Sequence, residues 1–209
     1  MAESHRATDP GDSTLTAWMR RVTGGMVNRT AVGLVRLGIT PNGLTITGLL
    51  LAIMAALLAA QGKLTDAGLV YLLGGPFDAL DGAVARVGGK SSAFGAVLDS
   101  TLDRYGEALL LTGIGYALTT QGNGVGVVLA FLTLLGSVMV SYTRARSEGL
   151  GIDNKGGLFT RVERIILLGL GLMLGLLMPV LWLLAILTHI TVAQRLWHVY
   201  RASQTLPPD

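Results

Sequence analysis

Cysteine does not occur anywhere in the 209 residues, which excludes disulfides, iron–sulfur clusters and thiolate-bound zinc. Charge is scarce: Asp, Glu, Lys and Arg make up 14% of the chain, where a soluble domain carries about 25%. There are only three histidines. His5 lies in a polar tail, and His189 and His198 stand apart near the C-terminus. They form no ligand motif and read as packing or interfacial residues. The opening stretch MAESHRATDPGDST has no apolar core of the signal-peptide kind and reads as a disordered tail.

Apolar residues, by contrast, are abundant. They account for 51% of the chain, mean hydropathy is +0.57, and they gather in long runs, so the expected solvent is a lipid bilayer. The 29 glycines suit close helix packing in such a setting. The net charge of +3 suggests nucleic acid only until the basic residues are mapped. All 16 Lys and Arg except Lys63 fall in the N-terminal segment, around two interhelical loops or near the C-terminus. By the positive-inside rule these regions face the cytoplasm, as do both termini.

The predicted fold is all-α and integral to the membrane, with six transmembrane helices preceded by an N-terminal amphipathic surface helix. Residues 1–14 form a cytoplasmic tail and 15–40 a juxtamembrane amphipathic segment. Residues 41–202 form the six-helix domain, and 203–209 a C-terminal tail. The spans are read over about 44–62, 66–87, 92–119, 125–146, 159–178 and 181–200. The uncharged run Ile165–Gln194 would make a single helix about 45 Å long, against a hydrocarbon core of about 30 Å. Pro179 is read as the break that folds it into a hairpin.

Four aspartates then stand out, because an ionisable group inside a span costs roughly 2.5–3.5 kcal/mol. Asp78 and Asp81 are i, i+3 on one predicted helix, and Asp99 and Asp103 are i, i+4 on the next. Counted from Lys63 and from Thr119, Asp78 and Asp103 both lie about 22–24 Å below the outer surface. The four therefore share one level in the cytoplasmic half of the membrane. Oxygen-only ligands favour Mg2+ or Mn2+, and four carboxylates can hold two ions, which suits phosphoryl displacement. Gly82 and Ala85 follow the first pair at helical spacing, and Gly95 stands one turn before Asp99. They are read as a floor on which a nucleotide approaches the backbone, rather than as packing residues alone.

The string D78-x2-D81-G82-x2-A85-R86-x8-G95-x3-D99-x3-D103 resembles the signature of the CDP-alcohol phosphotransferases at every fixed position. The resemblance implies that Asp78, Asp81 and Asp99 are the principal metal ligands, with Asp103 near the metals and serving as general base. It also implies that Asp81, Gly82, Ala85, Arg86 and Gly95 surround the CDP moiety, with Thr45 nearby, and that the protein is a homodimer. The acceptor hydroxyl would attack the β-phosphorus and CMP would leave.

The acceptor is read from arginines on the same side. Ser141-Tyr142-Thr143-Arg144-Ala145-Arg146, Arg161-Val162-Glu163-Arg164 and Gln194-Arg195-Leu196 suit a phosphorylated alcohol. Arg146, Arg161 and Arg201 are assigned only to anchoring, and Glu163 to pairing with a neighbouring arginine. The three segments are similar to phosphatidylinositol-phosphate synthases. By that resemblance Arg144, Arg164 and Arg195 hold the phosphate of inositol 1-phosphate, with Ser141 as a hydrogen-bonding wall. The expected reaction converts CDP-diacylglycerol and inositol phosphate into phosphatidylinositol phosphate and CMP at the plasma membrane. The alternatives are a phosphatidylglycerophosphate synthase, another member of the family, or a cation transporter using the carboxylates as its path. Arg86 and the glycine spacing speak against the transporter.

Overall fold

Four helices begin where a side chain satisfies their first free N–H groups. Thr40 caps α2 (Pro41–Ala60), accepting from Gly43 N–H at 3.2 Å, with Pro41 at the first helical position. Ser92 caps α4 (Ala93–Thr120) and Asn123 caps α5 (Gly124–Glu148) in the same manner. Thr160 and Glu163 close a capping box on α6 (Arg161–Met173). The remaining helices are α1 (Leu15–Arg36), α3 (Leu64–Val87) and α7 (Leu177–Ser203).

The structure, a computed structural model, describes residues 15–154, 156–157 and 159–204. The predicted N-terminal tail, including His5, and residues 205–209 of the C-terminal tail lie outside the described residues. No strand occurs among the described residues.

Among the described residues, six helices follow α1. Of these, α2, α5 and α7 are long and apolar enough to cross a membrane by length and composition. Their outward residues are large and apolar: Leu50 and Leu57 on α2, Phe131 on α5, and Trp182 and Ile186 on α7 are exposed. Inside, Leu110, Ile114, Leu168, Leu172, Leu181 and Leu184 are buried in one core. The inside–outside contrast is thus one of packing rather than polarity, as expected where lipid replaces water.

One expectation is corrected at the element level. The break in the long apolar run is not at Pro179. The chain turns at Leu174–Leu176, where Gly175 has φ +69°, a conformation that disfavours a side chain. Pro179 sits in the first turn of α7, where a missing N–H leaves nothing unpaired. Helix α6 is therefore only 13 residues long, or about 20 Å. Helix α1 packs on the bundle. Its apolar side, Val27, Ala31, Leu34 and Val35, packs on Leu44, Ala83 and Val84 of α2 and α3, so much of that face is covered by protein.

Helix α2 lies against both α3 and α4, α6 against α3, and α5 against α7. Glycines set the closest approaches. A Cβ on Gly113 of α4 would collide with the Ala56 carbonyl of α2, and one on Gly136 of α5 with Thr188 of α7. The α2–α3–α4–α6 group encloses the candidate site.

Candidate active site

Asp78 and Asp81 share one side of α3, and Asp99 and Asp103 one side of α4. The two sides meet: Asp78, Asp99 and Asp103 each offer a carboxylate oxygen, and these oxygens all lie within 4.8 Å of one another. Asp81 is buried, and its Oδ2 accepts a 2.8 Å hydrogen bond from Thr45 Oγ1 on α2. That bond ties the start of α2 to the cluster. Asp99 Oδ1 is buried with no hydrogen-bond partner. A buried carboxylate oxygen in that position is costly unless something cationic meets it. The donor set is all oxygen and converges from two helices, so a hard divalent cation fits it.

The nearest cation among the described residues is Arg161, the first residue of α6. Its Nη1 stands 2.5 Å from Asp78 Oδ2 and its Nη2 2.6 Å from Asp103 Oδ1. Arg161 therefore belongs to the site, which corrects its assignment to anchoring alone. The only sequence signal was its position directly after a capping threonine and three residues before Arg164. Asp78, Asp81 and Asp103, but not Asp99, border a cavity that Thr45, Gly48, Gly74, Gly75 and Arg161 also line. Sequence reading passed over Gly74-Gly75-Pro76. Two residues there lack side chains, and Pro76 lies within α3 just before Asp78.

Gly82, Ala85, Arg86 and Gly95 lie outside that cavity. Arg86 is exposed and runs along Gly82, its Nη1 3.3 Å from where a Cβ would be. A Cβ on Gly95 would stand 3.0 Å from Ser92 Oγ and 3.5 Å from Asn42 Oδ1. The start of α4 thus faces the start of α2, with small residues between.

The three arginines assigned to the acceptor occupy different surroundings. Arg164 is buried and donates to both oxygens of Glu107, at 2.9 and 3.1 Å, while Ser137 Oγ donates to the same carboxylate at 2.8 Å. Arg195 is buried and donates to the Gly156 carbonyl at 3.0 Å and to the Val140 carbonyl. Arg144 is exposed and pairs with Glu148 at 2.9 Å. Arg144 and Arg164 nonetheless stand close enough to act on the charge of Arg195. Glu163 is engaged in the capping box with Thr160. Ser141 is half-buried on α5, and Arg146 and Arg201 are exposed. His189 Nδ1 and His198 Nε2 contact the Ala185 and Asp153 carbonyls.

Comparison with known proteins gives the family. A family model described as CDP-alcohol phosphatidyltransferase matches residues 38–197. An archaetidylinositol phosphate synthase of Pyrococcus horikoshii is 42% identical over 83% of this chain and 88% of its own. The crystal structure of Mycobacterium tuberculosis phosphatidylinositol phosphate synthase with CDP-DAG bound superposes with a TM-score of 0.77. It is 34% identical over 83% of this chain and 93% of that one. The same enzyme in complex with manganese and citrate also gives 0.77, at 34% identity over 83% and 88%. The chain belongs to the CDP-alcohol phosphatidyltransferase family.

Proposed function

We propose that the protein transfers phosphatidyl from CDP-diacylglycerol to inositol 1-phosphate (D-myo-inositol 3-phosphate), forming phosphatidylinositol phosphate and CMP. The observation that carries the chemistry is the convergence of Asp78, Asp99 and Asp103 around the unpartnered Asp99 Oδ1. Asp78, Asp81, Asp99 and Asp103 would hold two Mg2+ or Mn2+ ions, which supply charge stabilisation for the transferring phosphate. Thr45 fixes Asp81 in orientation. Gly82, Ala85 and Gly95 leave room for the nucleotide, with Arg86 at its edge. Asp103 takes the proton of the acceptor hydroxyl as that oxygen bonds to the β-phosphorus. The bond from the β-phosphorus to the CMP oxygen breaks, and CMP leaves with the electron pair.

The inositol phosphate acceptor is supported by the names of the relatives and by Arg144 and Arg164 both standing close enough to Arg195 to act on its charge. Like charges gathered in this way suit a phosphate dianion. Arg144, exposed on the same helix as Ser141, and Arg195 are assigned to it. Arg164, held on Glu107 by two hydrogen bonds, is assigned there with them.

In the same reading α2–α7 cross the plasma membrane six times, with both termini and the site on the cytoplasmic side. Helix α1 lies at the membrane surface, and the protein acts as a homodimer among lipids.

Purified protein given labelled CDP-diacylglycerol, Mn2+ and one acceptor at a time tests the reading. Release of CMP is expected with inositol 1-phosphate. Release with glycerol 3-phosphate but not inositol phosphate would overturn the acceptor, and no release with any alcohol would overturn the transferase.

A further inference from the structure

Arg161 is in an odd place for a cation. It is the first residue of α6, where the helix dipole disfavours positive charge. Anchoring does not explain it either, because its guanidinium is turned inward between two helices. One fork of that guanidinium bridges Asp78 on α3 and Asp103 on α4, at 2.5 and 2.6 Å. The other nearby arginines are differently placed. Arg104 stands 3.9 Å from Asp103 and donates to the Ser100 carbonyl of its own helix. Arg164 is locked on Glu107. Arg161 also keeps 29% of its side chain exposed, so it has room to leave.

We infer that Arg161 is a resident counter-cation of the aspartate cluster, displaced when divalent metal loads. The inference rests on reading the cluster as a metal site. Charge balance carries it. Four carboxylates with Arg161 hold a net charge of −3, whereas four carboxylates with two divalent ions are neutral. A guanidinium kept against Asp78 and Asp103 would then face two metal charges with no anion of its own. Its planar fork suits a phosphate as well as it suits a carboxylate. Metal loading therefore frees Arg161 for a substrate phosphate, and the chain couples metal binding to phosphate binding through this one side chain. Until metal arrives, Arg161 holds α3, α4 and α6 together.

The test is Mn2+ binding by calorimetry to wild-type, R161Q and R161K protein, with thermal unfolding of each in the metal-free and Mn2+-saturated states. If Arg161 competes with metal, R161Q binds Mn2+ at least about fivefold more tightly. R161K, which keeps the charge without the fork, falls between. Metal-free R161Q unfolds at a lower temperature than wild type, and Mn2+ saturation narrows the gap. Equal or weaker Mn2+ binding in R161Q would overturn the inference. Should R161Q fail to fold, R161K decides: tighter binding than wild type supports the competition, and unchanged or weaker binding overturns it. A wild-type protein that binds no Mn2+ would instead remove the metal reading beneath it.

Discussion

Glu107 stands one helical turn beyond Asp103 and has a different fate. Its carboxylate is buried and fully engaged, by two hydrogen bonds from Arg164 and one from Ser137. A buried ion pair adds little over well-packed apolar groups, but breaking one strands the partner's charge. Glu107→Ala should therefore lower stability by about 3–5 kcal/mol, read as tryptophan fluorescence against denaturant in detergent. A cost below about 1 kcal/mol would mean that Arg164 finds another partner. At this scale the aspartates were legible because their spacing has no other economical explanation inside a membrane. Arg161 was not. A basic residue near a membrane edge is already explained by anchoring, and only the fold shows that its side chain turns toward Asp78 and Asp103.

Helix limits follow from caps and composition, and most were legible. Thr40-Pro41, Ser92 and Asn123 are side chains that favour a helix start wherever they occur. The α6–α7 turn was displaced because the run contains three glycines as well as a proline. Proline is disruptive in a helix interior but harmless in the first turn, and hydropathy does not distinguish those cases. Helix contacts were less legible still, since a glycine's role depends on what faces it. Gly113 faces the backbone of Ala56, so Gly113→Val should force α2 and α4 apart. The expected cost is about 1–3 kcal/mol, read as a lowered unfolding temperature with Asp103 intact. Gly115, with nothing within 4 Å, serves as the control: Gly115→Ala should change little. Equal effects at both positions would contradict the packing account.

Across the whole molecule, charge and hydropathy together constrain the fold. Lys63 is the one basic residue outside the basic segments, and the Lys and Arg elsewhere group on the aspartate side of the predicted spans. That distribution made the membrane setting and the fold class legible without any structure. The proposed six crossings with cytoplasmic termini predict that a reporter active only in the cytoplasm works when fused to either end. It should also work in the α5–α6 loop, but not beside Gln61-Gly62 or Gln121-Gly122. Activity at only one terminus would mean an odd number of crossings.

The central claim, that the aspartate cluster performs the transfer and Asp103 moves the proton, meets its most direct test in one measurement. CMP release by Asp103→Asn is compared with wild type at saturating CDP-diacylglycerol, inositol 1-phosphate and Mn2+. The account predicts a loss of about 10²–10⁴-fold in a protein that remains folded and still binds Mn2+. Release within a few-fold of wild type would contradict it.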